Sequence, residues 1–156
     1  MGLLFCMAGC LQQPSLKTGL EGKKLPSFTF LLMDSTTRFN TDSLESGKPF
    51  VMFYFNPDCP YCRTELRDII QHNNEFNNIM FYLLTAYPYG DVKRFSNEFH
   101  LKEYANITIG IDYTNYLYKY LYIPSVPYLA IYDKEKRLKQ VLMGKTDYKK
   151  IKMLCQ

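Results

Sequence analysis

The stretch from residue 50 to residue 66 constrains the fold of this chain more than any other feature. It opens with the continuous apolar run Phe50–Phe55, which is typical of a β-strand buried on both faces. Residues 56–58, Asn-Pro-Asp, supply turn and N-cap chemistry, and Pro60 is tolerated in a first helical turn, where a backbone donor is unpaired anyway. The sequence therefore predicts a central strand that leads through a short turn into a helix beginning at or near Cys59.

Strand and helix patterns on both sides of this junction predict the remaining elements. An N-terminal β-hairpin precedes it, and an alternation of strands and helices follows it. We predict a hairpin over residues 28–39, helices over 59–75, 91–103 and 113–120, strands over 79–84, 108–111, 128–132 and 138–143, and a closing helix from about residue 147. A βαβ first half followed by a hairpin and a terminal helix predicts an α/β domain whose mixed sheet is covered on both faces.

Cys59 and Cys62 have the spacing that reversible disulfide chemistry requires. Cysteines three residues apart at a helix start lie one turn apart on the same face, close enough to exchange between dithiol and disulfide. The free N–H groups and the positive dipole end of the helix favour a thiolate at Cys59, which is the candidate nucleophile. Cys62 lies a turn deeper and is the candidate resolving thiol, which attacks the mixed disulfide between Cys59 and a substrate.

The same Cys-x-x-Cys spacing occurs in zinc sites, where two further ligands complete a tetrahedron. The sequence has no second such motif, Cys155 is solitary, and the two histidines, His72 and His100, lack a ligand-like arrangement. Metal binding is therefore the weaker interpretation, and we expect neither a metal nor a dissociable cofactor. A redox-silent binding module that merely keeps the fold is a further alternative.

The stretch Phe53–Leu66, together with Val126–Pro127 at the start of a later strand, resembles the thioredoxin-like TlpA/ResA group of tethered bacterial thiol-disulfide oxidoreductases, within the AhpC/TSA and Redoxin superfamily. The resemblance covers nearly everything from Leu25 onward. It implies a thioredoxin-like three-layer α/β/α sandwich over residues 26–156, with a mixed central sheet and an added N-terminal β-hairpin. It also implies an enzyme that exchanges thiols and disulfides, more as a reductase than as an oxidase.

The resemblance assigns roles to residues around the two cysteines. Glu65, three residues after the second cysteine, is implied to move protons during exchange. Pro127 is implied to follow a cis peptide bond and to pack against the dithiol, while Val126 offers backbone groups to an extended substrate. The intervening pair Pro60–Tyr61, which is similar to that of glutaredoxins, is expected to contact substrate as well.

Two positions near the cysteines depart from related families. Peroxiredoxins share the fold and have Thr or Ser three residues before their catalytic Cys, where this chain has Asn56; this counts against the alternative of a thiol peroxidase. Asp58 stands where the TlpA/ResA group commonly has an aromatic residue. Its negative charge opposes a thiolate at Cys59 unless the carboxylate is occupied as the helix N-cap.

The N-terminus resembles a bacterial lipobox. Residues 1–9 are uncharged and mostly apolar, and they run into Met7-Ala8-Gly9-Cys10 before the chain turns polar, although no Lys or Arg precedes the apolar run. The resemblance implies a short signal peptide over 1–9, acyl chains on Cys10 and a flexible tether over 10–25. It places the protein on a membrane in the periplasm or at the cell surface, with disulfide-containing extracytoplasmic proteins as substrates and a membrane-borne thiol as electron donor.

Charge and length exclude other classes of function. The net charge of +4 comes without a run of like charges or basic-aromatic interleaving, so we expect no nucleic-acid partner. We interpret the lysines between Lys145 and Lys152 as a solvated helical face. A length of 156 residues fits one domain, and no stretch reaches the roughly 18 apolar residues of a membrane-spanning helix.

Overall fold

The structure, a computed structural model, describes residues 16–156. In this part of the chain, strands and α-helices alternate after an N-terminal hairpin, and three short 3-10 turns separate some of them. The strands are β1 (Thr29–Leu32), β2 (Arg38–Asn40), β3 (Phe50–Tyr54), β4 (Met80–Thr85), β5 (Ile107–Ile111), β6 (Tyr128–Tyr132) and β7 (Leu138–Met143). The helices are α1 (Pro60–Gln71), α2 (Tyr89–Glu98), α3 (Tyr116–Tyr120) and α4 (Tyr148–Cys155).

The strands form one mixed sheet in the order β2-β1-β5-β4-β3-β6-β7. The central strands β3, β4 and β5 are parallel, with Phe53 opposite Leu83 and Leu83 opposite Ile109. The outer pairs are antiparallel: β6 joins β3 to β7 on one side, and the β1–β2 hairpin extends the sheet beyond β5 on the other. The predicted central strand thus lies between β4 and β6, and the predicted N-terminal hairpin is present.

Strand β3 divides the hydrophobic core into two layers. Because side chains alternate across a strand, Val51 and Phe53 point into one cluster and Met52 and Tyr54 into the other. The first cluster includes buried residues of α1, α2 and α4, and the second includes Leu117 of α3 together with the hairpin. Helices therefore cover both faces of the sheet, and the predicted three-layer α/β/α sandwich is confirmed.

Two helices end earlier than their sequence patterns predict. Helix α1 ends at Gln71, and residues 73–76, which begin with two asparagines, form a 3-10 turn. Asparagine favours such ends because its side chain competes with the helical backbone hydrogen bonds. Helix α2 ends at Glu98, since His100 adopts a left-handed conformation with φ 51° that an α-helix cannot continue.

Residues 16–25, the later part of the predicted tether, lie along the β7 edge of the sheet. Gly22 N donates to Leu138 O at 2.8 Å, and Leu138 N donates to Lys23 O at 2.9 Å. Leu25 N donates to Lys136 O at 2.8 Å, and Leu25 packs against the second core cluster. The prediction of a flexible tether reaching residue 25 is therefore wrong for this portion, because an open sheet edge offers its backbone groups a partner. None of the helices described is long and apolar enough to cross a bilayer.

Candidate active site

The turn between β3 and α1 places Cys59 at the start of the helix. Cys59 N donates to Asn56 O at 3.1 Å, and Asp58 N donates to Asn56 Oδ1 at 2.8 Å. Cys59 itself is the N-cap residue, with an extended backbone, and Pro60 is the first helical residue. The helix start was predicted correctly, but a capping role for Asp58 is wrong, since Asn56 organises the turn and no side chain caps α1. The N–H groups of the first turn are therefore not taken up by a capping side chain and are available to interact with the Cys59 sulfur.

The two thiols differ in exposure. Cys59 is half-buried, whereas Cys62 is fully buried, and both are free thiols. Burial raises the pKa of Cys62 to about 12, and the neighbouring Cys59 thiol adds to the increase. A backbone hydrogen bond with Asn56 acts in the opposite direction. The arrangement presents one sulfur to solvent and keeps the other protonated directly behind it.

The loop before β6 faces the exposed thiol. The Val126–Pro127 peptide bond is cis, as the family resemblance implied. Cys59 Sγ lies 4.0 Å from Val126 O, and Gly144 N, at the end of β7, donates to Pro127 O at 2.9 Å. The sequence-predicted residues Cys59, Val126 and Pro127, which are distant along the chain, are therefore brought together.

A groove of ≈ 280 Å³ begins beside this loop and runs over the carboxyl ends of β3 and β4. Its lining includes Asn56, Tyr87, Tyr118, Pro124 and Val126, most of which are apolar or aromatic. Asn56 Nδ2 donates to Tyr87 Oη at 2.6 Å, which fixes one wall of the groove relative to the turn that carries Cys59. The groove was not predicted, because Tyr87, Tyr118 and Pro124, which complete its walls beside Asn56 and Val126, belong to no recognisable motif.

Pro60 and Tyr61, which separate the two cysteines, lie on the surface of the first turn of α1. Pro60 is exposed and the Tyr61 side chain is 67% exposed. They are open to a protein that approaches Cys59. Their role as substrate contacts stays a prediction.

Glu65 lies under the dithiol with its carboxylate fully buried. Thr146 N donates to Oε2 at 2.7 Å, while no group in residues 16–156 hydrogen-bonds to Oε1. Burial raises the pKa of Glu65 from 4.5 to about 7, although the Thr146 hydrogen bond and the charge of Lys145 act in the opposite direction. The Glu65 charge in turn raises the pKa of Cys62. A carboxyl group that titrates near neutral pH beside a buried thiol is suited to exchange a proton with it.

Lys145 and Asp68, which have no predicted role, complete the surroundings of Glu65. Lys145 Nζ is 2.8 Å from Asp68 Oδ2 and 3.9 Å from Glu65 Oε2. The interpretation of Lys145 as part of a solvated helical face is therefore wrong, because it precedes α4 and its side chain is only 31% exposed. Asp68 could have been predicted as a neighbour of Glu65, since it lies three residues later on the same helix face. No local sequence pattern indicates that Lys145 lies beside Glu65.

Arg63 ties the start of α1 to α2. Its Nη1 donates to Pro57 O at 2.9 Å, its Nη2 pairs with Glu98, and its guanidinium lies over the rings of Phe95 and Phe99 at 5.6 and 5.2 Å from their centroids. These contacts hold the turn that carries Cys59.

In the described part of the chain, no cluster of three or more His, Cys, Asp or Glu side chains is placed to hold a metal ion. The predicted lipid anchor, Cys10, lies outside the described residues.

Comparison with known families matches residues 22–141 to the AhpC/TSA family. The chain belongs to the AhpC/TSA family. The match covers the hairpin, the dithiol, Glu65 and the cis-proline loop, and so most of the sheet that carries the site. No curated protein matches this AhpC/TSA member at a significant level.

Solved structures of low sequence identity share the fold of this AhpC/TSA chain. The thioredoxin domain of a thiol-disulfide oxidoreductase from Bacteroides vulgatus is 17% identical, with a TM-score of 0.70 over 87% of this chain and 98% of its own. A secreted Mycobacterium tuberculosis disulfide oxidoreductase, homologous to E. coli DsbE, is 19% identical, with a TM-score of 0.68 over 82% and 93%. A peroxiredoxin-like protein from Aquifex aeolicus is 16% identical, with a TM-score of 0.68 over 90% and 86%. The predicted thioredoxin-like fold is confirmed, and family and fold are both consistent with an oxidoreductase.

Proposed function

We propose that this protein is an extracytoplasmic thiol-disulfide oxidoreductase that reduces disulfide bonds in other proteins. The observation that carries the proposal is the pairing of a half-buried Cys59 at the N-cap of α1 with a fully buried Cys62 behind it. Reversible exchange requires one accessible thiolate and one protected thiol within bonding range. Two of the solved structures with this fold are themselves named disulfide oxidoreductases.

The proposed reaction begins at Cys59. Its thiolate attacks one sulfur of a substrate disulfide, which forms a mixed disulfide and releases the other substrate sulfur as a thiolate. The groove beside Val126 receives the polypeptide that flanks the attacked cysteine, and the Val126 backbone lies next to the reacting sulfur. Extended segments can hydrogen-bond to such a loop, while an apolar groove accepts a side chain.

Cys62 completes the reaction. Its thiol transfers a proton to the Glu65 carboxylate and attacks the Cys59 sulfur, which forms the Cys59–Cys62 disulfide and releases the second substrate thiol after protonation. Two electrons pass from the dithiol to the substrate disulfide. A membrane-borne thiol donor then returns the pair to the dithiol, and no dissociable cofactor takes part.

An insulin-reduction assay tests the nucleophile directly. We expect the wild-type protein to reduce insulin disulfides with dithiothreitol as the donor, and Cys59→Ser to fall to the uncatalysed rate. Cys155→Ser is the matched control, since it removes the buried thiol of α4 and leaves the dithiol intact. Equal activity in wild type and Cys59→Ser would show that Cys59 is not the nucleophile.

Membrane attachment through Cys10 is a separate part of the proposal. It is supported by the sequence Met7-Ala8-Gly9-Cys10, with small residues before the cysteine and a polar segment after it. We expect labelled palmitate to be incorporated into the full-length chain in bacterial cells and to be absent from Cys10→Ala. Cys6→Ala is the control, and labelling of Cys10→Ala at the wild-type level would contradict the anchor.

A thiol peroxidase is the alternative enzyme, and the fold shared with a peroxiredoxin-like protein supports it. The position three residues before Cys59 argues against it, because Asn56 is engaged with Tyr87 and with the Asp58 amide. We expect hydrogen peroxide consumption with a thiol donor to be no faster in wild type than in Cys59→Ser. Catalytic peroxide turnover that depends on Cys59 would favour the alternative.

A further inference from the structure

Lys145 occupies a fixed position beside the buried carboxylate of Glu65. Its ammonium group donates to Asp68 Oδ2 and to the Thr146 backbone oxygen, both at 2.8 Å, and lies 3.9 Å from Glu65 Oε2. The neighbouring Thr146 N–H also holds Glu65 Oε2, at 2.7 Å. The segment between β7 and α4 thus delivers one hydrogen bond and one positive charge to the same carboxylate oxygen.

The charged and titratable groups around Glu65 come from three parts of the chain. Helix α1 contributes Cys62 and Asp68, the segment after β7 contributes Lys145, and the N-cap of α4 contributes Asp147. Of these four groups, Lys145 alone carries a positive charge. Its charge is therefore the one that favours the ionised form of Glu65, against burial and two aspartates.

Asp68 is shared between Lys145 and a second basic side chain. Its Oδ1 lies 3.2 Å from His72 Nδ1, and the His72 ring stacks on Tyr148 with centroids 3.7 Å apart. Asp68 therefore binds the Lys145 ammonium from a position that is itself fixed. It also holds that ammonium closer to its own carboxylate than to Glu65.

We propose that Lys145, held in place by Asp68, sets the pH range in which Glu65 accepts the Cys62 proton and the enzyme resolves its mixed disulfide. The inference rests on the function proposed above and concerns its second step. Lys145 and Asp68 act through Glu65 and are positioning residues. Neither is assigned to touch the substrate.

The two charges act on Glu65 in opposite directions. Glu65 accepts the Cys62 proton only when it is ionised, so a nearby positive charge extends this function to lower pH and a nearby negative charge restricts it to higher pH. Lys145 lowers the pKa of Glu65 and Asp68 raises it. Neutralising Lys145 must therefore move the pH dependence of resolution upward, and neutralising Asp68 must move it downward. If Lys145 and Asp68 only stabilised the structure, the two substitutions would not shift the pH dependence of resolution in opposite directions.

The resolution step can be followed with Ellman's reagent in the full-length chain. Cys6→Ala, Cys10→Ala and Cys155→Ala leave only the dithiol to react. Cys59 releases one thionitrobenzoate as it forms a mixed disulfide, and Cys62 releases a second as it closes the intramolecular disulfide. Stopped-flow absorbance between pH 5 and pH 9 then gives the rate of the second release at each pH.

In this background we expect the rate of the second release to rise through a midpoint near the pKa of Glu65, about 7. Lys145→Gln should raise the midpoint by about one pH unit, and Asp68→Asn, whose amide oxygen can still accept the hydrogen bond from Lys145 Nζ, should lower it by a similar amount. Lys145→Arg, which keeps the charge, should stay near the parent value. Lys152→Gln is the matched control, since Lys152 pairs with Glu75 on the surface, and it should not shift the midpoint.

Unmoved midpoints in both Lys145→Gln and Asp68→Asn, or shifts of both in the same direction, would overturn the inference. A midpoint that survives in Glu65→Gln would also overturn it, because another base would then accept the proton. Failure of the proposed function has a different signature. In that case a first release of thionitrobenzoate persists in Cys59→Ser, or no second release follows in the parent protein.

Discussion

At the scale of single residues, Glu65 couples the stability of the protein to pH. Its pKa of about 7 in the folded state lies above its ordinary value of 4.5, so between these two pH values the folded protein holds a proton that the unfolded chain has lost. The stability that the protonated group supports is fully present below about pH 4.5 and is lost as the pH rises through 7. The rise in the pKa of Glu65 corresponds to a decrease of about 3 kcal/mol in the free energy of unfolding.

We therefore predict that Glu65→Gln gains stability relative to wild type as the pH rises. Glutamine has the same shape and no charge, so the difference in the free energy of unfolding should grow by about 3 kcal/mol between pH 4.5 and pH 8. Urea denaturation of the reduced proteins across this range measures it. Glu75→Gln is the control, because its surface pair with Lys152 lowers the pKa of Glu75 and places its titration below this range. A difference that is constant with pH would contradict a buried, ionising Glu65.

The dithiol was predictable from the sequence, and the surroundings of Glu65 were not. Cys59 and Cys62 form a local motif, and the helix start that holds them is also a local pattern. Thr146, in contrast, lies 81 positions from Glu65, and its contact depends on how β7 ends and α4 begins. Contacts of this kind depend on tertiary packing, which single-sequence patterns do not contain.

At the scale of elements, the pairing of the hairpin with the parallel sheet depends on one glycine. Strand β1 pairs antiparallel with β5, with Leu32 opposite Gly110, and a Cβ at residue 110 would lie 2.5 Å from Phe30 Cδ2 and 3.0 Å from Leu31 O. One of these neighbours is backbone and the other belongs to a fully buried ring. The two strands can therefore come this close only if residue 110 lacks a side chain.

We predict that Gly110→Ala destabilises the protein by about 1 to 3 kcal/mol, because the added methyl group overpacks the junction of β1 and β5. Thermal or urea unfolding measures the change. Gly90→Ala is the matched control, since a Cβ there meets no atom within 4 Å and alanine is the better helix former in α2. Equal stability of Gly110→Ala and wild type would show that β1 does not approach β5 in this way.

The sequence predicted the existence and order of these elements more accurately than their ends. The β3 run is apolar on both faces and is therefore recognisable as a central strand. The ends of α1 and α2 depend on single residues, such as the left-handed His100, whose conformation no periodic pattern indicates. Asp58 is a similar case, because its carboxylate was a possible helix cap, whereas the structure has no side-chain cap on α1 and the neighbouring Asn56 binds the Asp58 amide.

At the scale of the whole molecule, the segment before the hairpin is part of the folded domain. Residues 16–25 hydrogen-bond to β7 and the turn that precedes it, and Leu20 and Leu25 pack against the second core cluster. The composition of this segment predicted a tether because it has few bulky apolar residues. A sheet edge binds backbone groups, however, and so it can hold a polar segment.

We predict that a chain lacking residues 1–25 is less stable than one lacking residues 1–15, by about 2 to 5 kcal/mol, because the longer deletion removes three backbone hydrogen bonds and two leucine contacts. Urea denaturation of the two truncated proteins measures the difference, and the shorter deletion is the control. Equal stabilities would mean that the segment contributes nothing to the fold.

The proposed function depends on Cys59 and Cys62 forming one reversible redox couple. The most direct measurement equilibrates the full-length protein in graded dithiothreitol buffers, alkylates the free thiols and maps the peptides by mass spectrometry. We predict a single two-electron transition in which Cys59 and Cys62 convert together into one disulfide, with Cys59 alkylated before Cys62 in the reduced protein. A Cys59 that stays a thiol throughout, or that pairs with Cys155 instead, would contradict the proposed function.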